Sequence, residues 1–194
     1  MADDLAERRG VETEVYQPAE DSHLLAEAVV ADGVAGTVVE VGTGSGYVAE
    51  RVAAETGASV VAADLNPHAC EQARERSEHG VQVARADLVE PFREGRLDAV
   101  VFNPPYLPAD EAAARNDWME VALTGGEDGR AVIDPFLDDV GRVLAPDGAV
   151  YLLVSSLTGV DAVVDRAASN GFSAVALRDE SFPFETLTVL KLLR

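Results

Sequence analysis

The chain has 194 residues, 47% of them hydrophobic, which suffices for one domain with a real core and argues against global disorder. Acidic residues outnumber basic ones 35 to 15, giving a formal net charge of −20, and Lys191 is the only lysine. Such a surface repels phosphate backbones and disfavours sequence-independent nucleic-acid binding in ordinary salt. There is no run of about 18 apolar residues, so no transmembrane helix is expected. The charged stretch Met1–Gly10 lacks an apolar signal-peptide core, and the single cysteine, Cys70, fits a reducing compartment. A cytoplasmic protein is expected.

Residues 1–14 are polar and read as a flexible arm, leaving 15–194 as a single domain. In Val15-Tyr16-Gln17-Pro18-Ala19-Glu20-Asp21-Ser22, Pro18 suits a helix start and the acids suit its first turn. Leu24, Leu25, Ala28 and Val29 continue at helical spacing. Thr37–Val41 reads as a buried strand and runs directly into Gly42-Thr43-Gly44-Ser45-Gly46, after which Val48, Val52 and Ala53 mark a helix. Ala58–Ala63 is a second strand ending at Asp64, Pro67 opens a helix to about Glu78, and Val81–Ala86 is a short strand ending at Asp87. Leu97–Phe102 is a fourth strand, stopped by Asn103-Pro104-Pro105-Tyr106, because neither proline can donate a ladder hydrogen bond. Beyond it lies a long stretch to about Asp128 in which Trp118 and Met119 stand out as a substrate wall or a satellite core. A helix over Gly129–Ala145, a strand over Ala149–Val154, a helix over Val160–Asn170, and strands over Phe172–Leu177 and Thr186–Leu192 complete the chain. Alternating strands and helices predict a mostly parallel sheet with helices on both faces, and the last two strands are spaced to pair as a hairpin.

Ligands of open α/β sheets bind at the carboxyl ends of the strands. There the chain places a glycine loop before a helix, which brings a ligand close to backbone. Gly44, Gly46 and Ala49, with Asp64 some 20 residues on, also satisfy a dinucleotide fingerprint. Against that reading, Glu40 stands just before the loop, where pyrophosphate charge would be repelled. Glu40, Asp64 and Asp87 close three successive strands, in positions to meet an ammonium group, a vicinal diol and an adenine amino group. S-adenosylmethionine carries all three. Asn103 offers a neutral amide, Pro104 and Pro105 a stiff turn, and Tyr106 an aromatic face; together they suit a planar amide or base whose NH2 group is modified.

Val39–Gly46 followed by Asn103-Pro104-Pro105-Tyr106 resembles the class I methyltransferases that act on amino groups of planar systems. With Gln17–Ser22 and Thr124-Gly125-Gly126-Glu127-Asp128-Gly129-Arg130, the resemblance narrows to the HemK-type glutamine methyltransferases of peptide release factors, in their short archaeal and eukaryotic form. It implies a Rossmann-like, seven-stranded, mostly parallel sheet with a C-terminal antiparallel hairpin strand. It implies methyl transfer from S-adenosylmethionine to the glutamine of the Gly-Gly-Gln loop of a class 1 release factor. The cofactor residues it implies are Ser22, Glu40, Gly42, Gly44, Gly46, Asp64, Asp87, Leu88 and Asn103. Asn103, Pro104, Pro105 and Tyr106 would hold the substrate, with Asn103, Pro104 and Tyr106 catalytic and no metal in this chain. A small zinc-binding activator would dock at the edge strand near Val81–Ala86, making a heterodimer. An adenine amino group in DNA or RNA, or a protein lysine, would suit the same turn; a non-catalytic cofactor-binding scaffold would have no need of it. His68 and Cys70, two apart on a helix, point to different faces and read as ordinary surface or core positions.

Near-absence of lysine with abundant Asp, Glu and Ala resembles proteins of halophilic archaea. In molar salt, screening over about 3 Å removes the self-repulsion of the acidic surface. Circular dichroism is therefore expected to show loss of structure below roughly molar KCl; a melt unchanged between low and high KCl would refute this.

Overall fold

A computed structural model describes residues 15–107 and 122–194. The arm expected over 1–14, and Trp118 and Met119, lie outside the described residues. Helix α1 (Glu20–Ala31) begins with two acids in its first turn, which meet the positive end of the helix dipole, and buries Leu24, Leu25, Ala28 and Val29. Pro18 stands ahead of the helix rather than opening it; extended Ala19 is the capping position.

Strand β1 (Thr37–Val41) leads through the glycine loop into α2 (Tyr47–Thr56). Strand β2 (Ser59–Asp64) leads into α3 (Pro67–Arg76), whose start is fixed by Asn66 accepting the His68 N–H at 2.9 Å and by Pro67 in the first turn. Short β3 (Gln82–Arg85) and β4 (Leu97–Phe102) follow. Helix α4 (Ile133–Val143) is shorter than the expected Gly129–Ala145 at both ends. Before it, Ala131 N–H donates to Gly125 O and closes a loop instead of a helical turn. After it, Leu144 turns extended and pairs with Leu97, so β5 (Leu144–Ser155) starts five residues ahead of the expected Ala149. A single 3-10 turn (Ser156–Thr158), α5 (Val160–Ser169), β6 (Ser173–Ser181) and β7 (Thr186–Leu193) complete the fold.

The seven strands lie in the order β3-β2-β1-β4-β5-β7-β6. All neighbouring pairs up to β5 are parallel, while β7 runs antiparallel to both β5 and β6. The C-terminal hairpin of the sequence reading is thus present, with its second strand inserted between β5 and β6. Helices cover both faces, over two apolar cores. On one face α1 and α2 pack Leu25, Val29 and Val52 on Val38 and Val60; on the other, Phe136, Leu137 and Val140 of α4 pack on Val100, Phe102 and Leu152. The Phe102 and Phe136 rings meet at 4.7 Å between centroids, tilted by 55°, a geometry worth about 0.5–1.5 kcal/mol beyond area burial. That contact pins the carboxyl end of β4, where the Asn-Pro-Pro-Tyr turn begins. No helix among the described residues is long and apolar enough to cross a membrane.

Candidate active site

Parallel pairing of β1 with β4 aligns Val41 with Phe102, so Gly42 and Asn103 leave adjacent strands at the same level. A cavity of about 220 Å³ opens there. Its lining includes Ser22, Glu40, Gly42, Gly44, Asp64, Asp87, Leu88, Asn103, Pro104, Pro105 and Tyr106. Gly46 is the exception among the residues read from the sequence. It faces α3, where a Cβ would lie 2.9 Å from the Ala73 Cβ, and its φ of 78° suits glycine. It is needed for helix packing and loop geometry rather than as cavity lining.

The glycine loop is held from three sides. Glu40 is only 3% exposed, and its Oε2 accepts the Thr43 hydroxyl and, at 2.9 Å, the Ala49 N–H at the start of α2. Asp64 Oδ2 accepts the Gly44 N–H at 2.9 Å and its Oδ1 the Asn66 N–H at 2.8 Å. Arg76 Nε donates to Ser45 O at 2.8 Å. Burial pushes the Glu40 carboxyl up to about 8, with the nearby Asp64 charge acting in the same direction and the two hydrogen bonds opposing it. Burial also raises Asp64, against its backbone hydrogen bonds. Both carboxyl groups have acceptor capacity left, Glu40 in full once it gives up the proton it keeps in the ligand-free site. A cationic ligand beside Glu40 and a diol beside Asp64 would supply the missing donors.

The segment before α1 folds over this loop. Tyr16 O would lie 3.3 Å from a Cβ on Gly44, a tight passage, and the φ of 53° there favours glycine. Tyr16 Oη donates to Asp21 Oδ2 at 2.7 Å, and Asp21 Oδ1 accepts the Ser22 N–H at 2.6 Å. Asp21 is buried and lines the cavity with Tyr16, Thr43, Asn66, Leu123 and Val132, residues the sequence reading did not single out. In the sequence Asp21 reads only as one of two first-turn acids, with Glu20, and Leu123 and Val132 offer no signal.

At the Asn-Pro-Pro-Tyr turn, Asn103 Oδ1 is buried and has no hydrogen-bond partner among the described residues. A buried carbonyl oxygen without a partner is costly, and an arriving N–H would meet that cost. The turn carrying it is braced from below. Leu107 N–H donates to Leu123 O at 3.0 Å and Gly125 N–H to Leu107 O at 2.9 Å. A Cβ on Gly129 would lie 2.7 Å from Tyr106 O and from Thr158 Cγ2, and one on Gly125 would lie 2.5 Å from Gly129 O. Arg130 Nη1 donates to Thr158 O at 2.6 Å while Nη2 pairs with Asp128, also at 2.6 Å. The Thr124–Arg130 motif is thus the support of the Asn-Pro-Pro-Tyr turn.

A sheet with one antiparallel strand inserted next to the last, and a cavity between a glycine loop and an Asn-Pro-Pro-Tyr turn, define a class I methyltransferase. The methyltransferase small domain family matches residues 17–122. A protein of Methanocaldococcus jannaschii assigned as a protein N5-glutamine methyltransferase is 35% identical over 180 residues, 91% of this chain and 90% of its own. The human methyltransferase HEMK2 is 34% identical over 196 residues, 94% of this chain and 91% of its own. The E. cuniculi Mtq2 structure, solved with Trm112 as a complex that methylates the eRF1 termination factor, superposes with a TM-score of 0.77 at 31% identity, covering 94% of this chain and 99% of that one. The chain belongs to the HemK-type methyltransferases, and S-adenosylmethionine is its methyl donor.

Glu40 gives the ligand-free site a pH signature. Its ordinary value is 4.5 and its folded value about 8. Between these the folded chain keeps a proton that the unfolded chain has lost, so stability falls as pH rises through this window. In high KCl, the thermal midpoint of the ligand-free protein is expected to drop from about pH 5 to about pH 8, and the slope to flatten in Glu40→Gln. Equal slopes in the two proteins would refute the assignment.

Proposed function

We propose that this enzyme transfers a methyl group from S-adenosylmethionine to the side-chain amide nitrogen of the glutamine in the Gly-Gly-Gln loop of a class 1 release factor. The observation that carries the reading is the partnerless Asn103 Oδ1 at the cavity wall, on a turn made stiff by Pro104 and Pro105. Relatives assigned to protein glutamine, and an Mtq2 neighbour that methylates eRF1, support the choice of substrate.

S-adenosylmethionine, when bound, supplies an electrophilic methyl group on a sulfonium sulfur. Glu40 and Gly42 would hold its amino-acid end, Ser22 would close over that end, Asp64 would hold the ribose hydroxyls, and Asp87 and Leu88 the adenine. Gly44 leaves room at the loop. The acceptor amide nitrogen is a poor nucleophile, because its lone pair is delocalised into the carbonyl, so what the chain contributes is position. Asn103 Oδ1 and the Pro104 carbonyl each accept one amide N–H, and Tyr106 packs on the amide plane. Two acceptors on one NH2 group also favour the positive charge that develops on nitrogen, without reorganising at that moment. No general base is required before attack, since the nitrogen sheds its proton afterwards.

Asn103→Ala is expected to abolish methylation while leaving cofactor binding nearly intact. Labelled S-adenosylmethionine offered with purified release factor, and separately with DNA and RNA, measures the first; calorimetric titration of the cofactor measures the second. Labelling of nucleic acid in place of the release factor, or wild-type turnover by the variant, would overturn the reading.

The chain is also proposed to work as a heterodimer in the cytoplasm of a halophilic archaeon, with a small zinc-binding activator extending the sheet at β3. That strand lies at the sheet edge. Its side chains are tucked in more than the sequence indicates: Val81 is buried and Val83 packs on the core, so the open feature is the backbone edge. Size-exclusion and activity assays are expected to show the lone chain poorly soluble or weakly active, and the co-expressed pair soluble and active. A stable, fully active monomer would count against the heterodimer.

A further inference from the structure

The rim of the sheet that carries the Asn-Pro-Pro-Tyr turn also carries the tip of the β6–β7 hairpin, Phe182-Pro183-Phe184-Glu185. Strand β6 runs parallel to β5 and β7 returns antiparallel, with Ser155 opposite Leu187 and Ser181 opposite Thr186, so the tip stands beyond the carboxyl end of β5. It is fixed to that end. Ser155 Oγ donates to Glu185 Oε2 at 2.7 Å, and Thr186 N–H donates to Ser156 Oγ at 3.0 Å. Thr158, in the same 3-10 turn as Ser156, is the residue against which Gly129 packs under Tyr106. One chain of direct contacts therefore leads from the acceptor turn to the hairpin tip.

The tip is shaped to present a ring. Phe182 N–H donates to Glu185 O at 2.7 Å and closes it, and the Phe182 side chain packs partly buried against the core. Phe184, two residues on, is 68% exposed, the highest among the exposed large apolar residues of the described chain. A ring held out in water by a closed turn is available to a partner, and aromatic residues are enriched at protein interfaces. The hairpin that carries it also bears exposed Asp179 and Glu180, with Glu185 at the tip, while Arg178 is paired with Glu27 at 3.0 Å.

We propose that Phe184 is a docking anchor for the folded body of the protein substrate, outside its acceptor loop, and that it fits an apolar pocket rimmed by basic side chains. The acidic neighbours favour such a surface and repel a phosphate backbone. The hairpin closes the edge of the sheet opposite β3, so it stays open when a partner occupies that strand. The inference rests on the proposed protein substrate and adds where that substrate is held.

The test compares Phe184→Ala with the wild type, each with its activator, on the intact release factor and on a short peptide spanning its Gly-Gly-Gln loop. For the intact protein KM is expected to rise roughly ten-fold with kcat unchanged, as for loss of an interface hot spot. The peptide's kcat/KM is expected to be unaffected, and Phe184→Trp to restore the KM for the intact factor. An unchanged KM for the intact factor overturns the anchor while leaving the proposed substrate standing. An equal loss on the peptide overturns it too, by showing that the change reaches the acceptor turn. Wild-type enzyme that methylates neither substrate sinks the functional reading itself, and a Phe184-dependent affinity for single-stranded RNA in place of protein overturns the choice of occupant.

Discussion

The pairing of β1 with β4 is the constraint on which the rest depends. Four aligned pairs, from Val38 with Ala99 to Val41 with Phe102, bring two chain segments 61 positions apart to the same level at the sheet's centre. Above that level both strands must stop, for different reasons. β1 ends because Gly42 turns with a φ of 63°, which opens a loop of bare backbone. β4 ends because Pro104 and Pro105 cannot continue a ladder. The first stop makes a cradle and the second a clamp, and a slip of one residue would turn Asn103 away from Gly42. In the proposed reading, the donor and acceptor ends of the transfer are thus set by backbone register, before any side chain is positioned.

Both stops are buttressed by contacts that only small residues allow. Gly46 gives α2 room against Ala73 of α3, and Gly129 lets the supporting loop touch Tyr106 O. Replacing either would push backbone, since the nearest atoms are at 2.9 Å and 2.7 Å. The Thr124–Arg130 motif, which reads in the sequence only as a family resemblance, thereby acquires a physical meaning. It is the floor under the clamp, and Arg130 ties that floor to the turn after β5. Rigidity of this kind matters for a weak nucleophile. If the chain contributes mainly position, an error of about 1 Å at Asn103 would cost on the order of a hundred-fold in rate.

The parts of this arrangement legible in the sequence are those with local causes. Apolar runs of strand length, proline at Pro67, and glycine after β1 fix where elements begin and end without reference to anything distant. The misjudged parts have tertiary causes. Leu144 and Ala145 continue the apolar pattern of α4, yet pairing with Leu97 makes them strand. Gly46 looks like the third glycine of a ligand loop, yet its missing side chain serves a neighbouring helix. Tyr16 and Asp21 reach the cavity because the segment before α1 folds back over Gly44, which no periodicity encodes. The place of β7 between β5 and β6 likewise follows from sheet closure, since hairpin spacing alone leaves either strand free to sit at the edge.

Acidity plays two separate parts in this molecule. On the surface it faces solvent and is open to screening by salt. Within the cavity, which Asp21 also lines, Glu40 and Asp64 lie where desolvation works against charge. The chain meets that cost with hydroxyl and backbone N–H donors: Tyr16 for Asp21, Thr43 and Ala49 for Glu40, Gly44 and Asn66 for Asp64. These donors orient the carboxyl groups without neutralising them by ion pairing, so a ligand that brings a cation and hydroxyls completes the electrostatics. The acceptor side is built on the opposite plan. Its proposed key group, Asn103 Oδ1, is neutral and has no hydrogen-bond donor among the described residues. In the proposed reading, an acidic donor pocket beside a neutral acceptor pocket separates the two ligands by chemistry as well as by place, and would keep the cofactor's ammonium group out of the clamp for the amide.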